Sequence, residues 1–349
     1  MQRYYSSIQI FRGMLFLCIL AFHCNAPYAQ FGWGGVEAFF VISSFFLVRK
    51  QYGNDELIIA KQFKHRILRL YPPYIPVLLV AALFALLLGK LPYDIVPHLL
   101  SLQNFQWMVT GYNSPMQPMT AHTWTLSIEV WTGLIVIMLL RVLSKKQFKV
   151  AMYAMLIAGI TCRVITAALG INAVTISLCP LAHFDAFACG SLLAITMREG
   201  KLTKRIGLFA VAGAFGIILC IFMIASINNV GFVGGYKLLS SSGNYLNHWF
   251  TGNIYLFISL FSTGLLGLLC IHDEHSKSDN HKFKEMFISL GNNSYVLYLF
   301  HWPILFVIRH LFGNWVILFI GTLAASIVSN FIFNKLQAIV AKKTWRMMG

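Results

Sequence analysis

The chain has 349 residues, 58% of them hydrophobic and only 11% charged. Soluble globular proteins carry about 25% charged residues, so this composition excludes that class and indicates a polytopic membrane protein. The formal net charge of +16 suggests nucleic acid at first sight, but no soluble basic domain is there to bind it, and nucleic acid is set aside as a partner.

Ten apolar spans of about 17–25 residues follow one another near 8–26, 33–49, 73–89, 124–142, 150–169, 174–197, 206–228, 250–271, 288–311 and 314–334. They predict an all-α polytopic transmembrane helix bundle. With the N-terminus inside, 23 of the 27 basic residues fall in the inner segments, and only Lys90, Lys237 and Arg309 fall outside, with Arg163 inside a span. The positive-inside rule then predicts that both termini are cytoplasmic. On this reading the net charge is a topology signal.

The first span holds Arg12 and His23, eleven residues apart. At about 3.6 residues per turn, His23 returns to within roughly 20° of the Arg12 face, about 16 Å further along the helix. Ionisable residues on one stripe of a membrane helix are costly unless they line a site or pathway. Residues 1–29 also read as a cleavable signal peptide, ending in Ala26-Pro-Tyr-Ala29, but its removal would break the downstream charge alternation. The second span carries Glu37 one turn in from its outer end. Segment 54–72 opens with a capping pattern at Asn54 and alternates apolar and basic residues at helical spacing, which predicts an interfacial helix ended by Pro72 and Pro73.

The outer loops 90–123 and 229–249 are poor in charge but contain Trp107, Tyr112, Tyr236, Tyr245 and Trp249. Such aromatics are the residues of interfacial belts. Glu129 lies one turn into the fourth span, Arg163 in the fifth, His183 and Asp185 in the sixth, and His301 in the ninth. Histidines and carboxylates at similar depth are what general acid–base chemistry needs. Structural readings stand beside this one. His301 is equally a bundle hydrogen bond, Asp185 a partner of His183 or Arg163, and Arg12, Arg66 and Arg69 ordinary positive-inside anchors. The seven cysteines (18, 24, 162, 179, 189, 220 and 270) read as small core residues without a disulfide framework. No internal repeat is visible. Residues 1–335 are expected to form one transmembrane domain and 336–349 a short basic cytoplasmic tail.

Six segments in order carry a resemblance. They are Arg12-x10-His23, Gly35-Val-Glu-Ala-Phe-Phe-Val-Ile-Ser-Ser-Phe45, Arg66-Ile-Leu-Arg-Leu-Tyr-Pro72, His122-Thr-Trp-Thr-Leu-Ser-Ile-Glu129, Asp185-Ala-Phe-x-x-Gly190 and Ser294-Tyr-x-x-Tyr-Leu-Phe-His-Trp-Pro303. Together they resemble the acyltransferase-3 family of integral-membrane acyltransferases, many of which O-acetylate bacterial surface sugars. Glu37 stands where that family usually has Asp, Ser44 replaces a Gly, which predicts looser helix packing, Thr125 replaces a Ser, and His65 stands where a further Arg is common.

The resemblance implies a multi-pass protein of the plasma (inner) membrane. Its donor would be acetyl-CoA or another acyl-CoA on the cytoplasmic side, and its acceptor a hydroxyl of a cell-surface polysaccharide or lipid-linked saccharide. Arg12, Arg66 and Arg69 would hold the CoA phosphates, because guanidinium groups suit phosphate. His23 would be the general base, its imidazolium oriented by Glu129 or Glu37. His301, Trp124 and Asp185 are assigned to the acceptor, the aromatics of the outer loops are expected to stack on its sugar faces, and no metal is expected. No hydrolase-like domain is appended in the sequence, so either this domain completes the transfer or a partner does; homo-oligomerisation is left open. The competing class is a proton-coupled secondary transporter or flippase of a glycan precursor, using the buried histidines and acids as a relay. No inverted repeat or paired broken helices support it.

Overall fold

A computed structural model describes residues 5–53, 58–239, 248–275 and 282–348. Ten long helices dominate the described residues: α1 (Ser6–His23), α2 (Gly34–Gln51), α3 (Ile59–Leu87), α4 (Trp124–Val142), α5 (Lys145–Ala168), α6 (Phe184–Arg198), α7 (Gly207–Ile227), α8 (Ile254–His275), α9 (Lys282–Leu311) and α10 (Trp315–Met348). No strand occurs among the described residues. Nine of the ten, some lengthened by an adjoining short turn, are long and apolar enough to cross a membrane. The other, α9, has the length, but Asn292, Asn293, Ser294, His301 and Arg309 dilute its apolar content. The backbone of α10 continues as helix through most of 336–349.

Helix α1 is integral to the bundle. Ile8, Phe16, Ile19 and Leu20 are fully buried in the main core beside Phe45, Val48 and Phe187. Its first turn is closed from α8, where the Asp273 carboxylate accepts from the Ser7 backbone N–H at 3.0 Å and the Ser7 hydroxyl at 2.6 Å. That carboxylate sits where the first turn leaves N–H groups unpaired and the dipole is positive.

Helices α2 and α6 pack tightly, which corrects the looser packing expected from Ser44. The close approach is supplied from the other side, because a Cβ at Gly190 would collide with the Val41 carbonyl. Ser44 is itself buried, and its Oγ hydrogen-bonds the Phe187 carbonyl and the Ser191 hydroxyl.

Further expectations are corrected. Pro72 and Pro73 do not end a separate interfacial helix: α3 runs through them and through Pro76. Prolines are tolerated within membrane helices where the surroundings re-satisfy the freed backbone groups; α9 packs on this stretch, with the Tyr295 hydroxyl donating to the Leu70 carbonyl at 2.8 Å. Asn54 lies outside the described residues, and α3 begins after Ile58 without a side-chain cap.

Segment 90–123 is not an open loop. It forms the short helices Ile95–Leu99, Gln103–Thr110 and Gln117–Thr120, and Trp107 is buried with its Nε1–H donated to Ser114 at 3.0 Å. Trp107 is therefore withdrawn as a sugar-stacking surface. Of the other loop aromatics, Tyr112 donates to the Ala121 carbonyl, Tyr236 to the Tyr28 carbonyl at 2.6 Å, and Trp249 is exposed; Tyr245 lies outside the described residues. The seven cysteines are free, and Cys18 is exposed rather than a core residue.

Candidate active site

Helix α1 carries its two ionisable residues to two different places. At its first half, Arg12 joins Arg66 and Arg69 of α3 around a cavity of about 460 Å³ between α1, α2, α3, α4 and α9. One wall is apolar, formed by Phe39, Phe40, Phe46, Leu47 and Leu126. Lys50 and His65 add to the basic rim, and Glu129 supplies the carboxylate.

Arg66 is held rigidly. Its guanidinium meets the Glu129 carboxylate at 2.9 Å and the Glu129 carbonyl at 2.6 Å, and it lies against Gly133, where a Cβ would displace it. Ser43 donates to the same carboxylate at 2.6 Å. Arg12 bonds the Gln9 side-chain carbonyl at 3.0 Å. Arg69 is exposed, lines the same cavity and forms no ion pair among the described residues.

At the far end of α1, His23 packs against Trp302, with ring centroids 4.7 Å apart, and against His301 at 5.3 Å. His301 in turn lies 5.4 Å from His122. Tyr298 joins the two places: it lines the cavity, its ring lies 5.3 Å from His301, and its hydroxyl donates to the His122 carbonyl at 2.9 Å. Thr125, also on the cavity wall, donates to the Tyr298 hydroxyl at 3.2 Å.

The carboxylates are arranged differently from the expectation that one of them orients His23. Glu37 is hydrogen-bonded to His183 Nδ1 at 2.8 Å, and His183 donates Nε2–H to the Ser177 carbonyl at 2.9 Å. Glu129 is bonded to Arg66 and Ser43, so neither carboxylate hydrogen-bonds His23. The physical reason is distance in depth: Glu129 belongs to the arginine end, and Glu37 faces α6.

Asp185 forms a buried two-point pair with Arg163, at 2.7 and 3.0 Å, and Arg163 also bonds Asn253 at 3.2 Å and the Ala182 carbonyl. Asp185 therefore faces a guanidinium inside the bundle. Trp124 packs edge-on to Phe40 and beside His183, 5.5 Å between centroids. The fold thus brings together Arg12, Arg66, Arg69 and Glu129 at one end and His23 with His301 at the other, while Glu37, Asp185 and Trp124 gather around His183.

The site is thus a basic cavity joined through Tyr298 to a histidine cluster. The model of the acyltransferase-3 family, described as "Acyltransferase domain", matches residues 5–335. The chain belongs to this family. It is also similar to proteins named "Putative O-acetyltransferase" in Staphylococcus aureus strains COL, MSSA476 and MRSA252, each 29% identical over 165 residues. Those matches cover 42% of this chain and 27% of each relative, so the chain spans about a quarter of their length. No solved structure matches.

One residue of this family member carries no assignment from the sequence. His122 reads there as the flank of a motif at the end of a loop, whereas the short turn Ala121–Thr123 carries it into the bundle, 3% exposed. A signal is there: between Asp94 and Glu129 the chain contains no Asp, Glu, Lys or Arg, which allows the fourth span to start earlier.

Proposed function

We propose that this acyltransferase is an O-acetyltransferase of the inner membrane. It takes the acetyl group of cytoplasmic acetyl-CoA and places it on a hydroxyl of a cell-surface polysaccharide or lipid-linked sugar. The observation that carries the reading is one cavity in which Arg12, Arg66 and Arg69 converge and which is also lined by Tyr298, beside His301. The names of the Staphylococcus aureus relatives support acetyl as the group. The excess of basic residues in the segments assigned to the inner side supports donor entry from the cytoplasm.

In this mechanism the phosphates of CoA bind the guanidinium groups, and the pantetheine arm runs along the apolar wall toward Tyr298. His23 takes the proton of the acceptor hydroxyl as the oxygen attacks the thioester carbonyl carbon. The C–S bond then breaks, the C–O ester bond remains, and the departing thiolate takes the proton that His23 received, which gives free CoA and restores the neutral imidazole. Positive charge at Arg12 and Arg69, next to the fixed Arg66–Glu129 pair, favours the anionic donor.

The test is release of CoA thiol by purified protein in detergent, with acetyl-CoA and polysaccharide prepared from its own cells. Acceptor-dependent thiol release supports the reading, and its absence contradicts it. Arg69→Gln changes an exposed side chain outside the core, so the fold survives. The variant is expected to raise the KM for acetyl-CoA about tenfold, the scale of one hydrogen bond to a charged group, with kcat nearly unchanged. An unchanged KM would remove Arg69 from the donor site.

A further inference from the structure

Two of the three clustered imidazoles present unpaired nitrogens inside the bundle. His122 donates Nε2–H to the Leu299 carbonyl at 3.0 Å, and His301 donates Nδ1–H to the Tyr298 carbonyl. With one ring proton committed in each neutral imidazole, the remaining nitrogen is an acceptor. These acceptors, His122 Nδ1 and His301 Nε2, are buried and have no hydrogen-bond partner among the described residues. The side chains are 3% and 0% exposed.

Native proteins satisfy nearly all buried polar atoms, and each unsatisfied one calls for an explanation, often a functional one. Here two occur on rings 5.4 Å apart, and His23, only half-buried, stands on the open side of the same cluster. Trp302 closes the group, edge-on to His23 and parallel to His122 at 6.1 Å. A ligand that satisfies both nitrogens must donate two hydrogen bonds from neighbouring atoms. A cation is disfavoured, because the Arg309 guanidinium is already bound at the His23 carbonyl, and no carboxylate among the described residues bonds any of the three rings. A vicinal diol, with hydroxyls on adjacent carbons, is a neutral group that donates two such hydrogen bonds side by side.

We propose that His122 and His301 form an acceptor subsite that holds two neighbouring hydroxyl groups of a polyol, with the reacting hydroxyl turned toward His23. This rests on the acyl-transfer reading above and names its substrate class: a sugar with adjacent free hydroxyls, not an isolated alcohol. His122 and His301 are positioning residues in this scheme, and His23 remains the base.

The experiment uses the full chain in detergent, acetyl-CoA, and two synthetic acceptors, a methyl hexopyranoside and its monodeoxy analogue lacking the hydroxyl beside the acylated one. Thiol release and acceptor KM are measured for the wild type and for His122→Ala. The deoxy analogue is expected to raise the acceptor KM about tenfold on the wild type, the loss of one buried hydrogen bond. His122→Ala is expected to do the same with the parent sugar while leaving the KM for acetyl-CoA unchanged, which also shows that the variant is folded. The two losses are expected not to add, because both remove one interaction, and His122→Asn, which keeps an acceptor oxygen, recovers part of the loss. Equal KM values for sugar and deoxy analogue on the wild type would overturn the diol subsite without needing a variant. So would losses that multiply. Wild-type protein that releases no thiol with either sugar would overturn the acyl-transfer reading and this one with it, whereas thiol release unaffected by His122→Ala overturns only the subsite.

Discussion

Replacing His23 by alanine is expected to lower acyl transfer by about 10²–10⁴-fold, the range of a positioned general base, while the protein stays folded. The structural cost is small because the ring forms no hydrogen bond among the described residues; its contacts are those with Phe22, His301 and Trp302. The His23 carbonyl accepts a hydrogen bond from Arg309, and that bond survives the substitution. The KM for acetyl-CoA should change little, since the proposed mechanism puts the donor phosphates at Arg12, about 16 Å away along α1. A kcat loss with an unchanged donor KM separates a catalytic role from a packing one. A purified variant with near wild-type kcat would remove His23 from the mechanism.

Asp185→Ala is expected to act on stability instead. Asp185 and Arg163 are both fully buried and joined at two points, and removing one partner of a buried pair leaves an uncompensated charge costing about 3–5 kcal/mol. Thermal unfolding in detergent should show a large fall in midpoint for Asp185→Ala or Arg163→Ala. The double replacement Arg163→Met with Asp185→Leu should recover much of it, because the charge and its partner leave together. Folded Asp185→Ala protein with a normal midpoint and a raised acceptor KM would instead assign this carboxylate to the acceptor.

The parts of the site written locally in the chain are legible in the sequence. Arg12 and His23 share one helix, so their common stripe follows from helical periodicity, and Arg66 and Arg69 lie one turn apart on another. What is not legible depends on pairings far apart in sequence. Glu37 meets His183 across 146 residues, and nothing in either segment says that it turns away from His23. Glu129 reads as a partner of His23, but Arg66 and Ser43 hold it at the arginine end of the cavity.

Two other differences share a cause, the use of soluble-protein punctuation in an apolar setting. Pro72 and Pro73 end helices in water, yet inside the bundle they are accommodated within α3. The stretch between Asp94 and Glu129, polar enough to read as a loop, folds into short packed helices, and that is how His122 reaches His301. Ser44 shows the opposite lesson. A substitution that suggests looser packing is absorbed because Gly190, on the facing helix, provides the space.

The most direct measurement reconstitutes the purified chain in vesicles with acetyl-CoA carrying isotopic label in its acetyl carbons and with polysaccharide from its own cell envelope. Mass spectrometry of the polysaccharide and a thiol assay are then run on the same sample. A labelled ester on the sugar matched by one free CoA thiol per ester is the predicted result. Thiol released without labelled ester, or saccharide crossing the bilayer with acetyl-CoA intact, would contradict it.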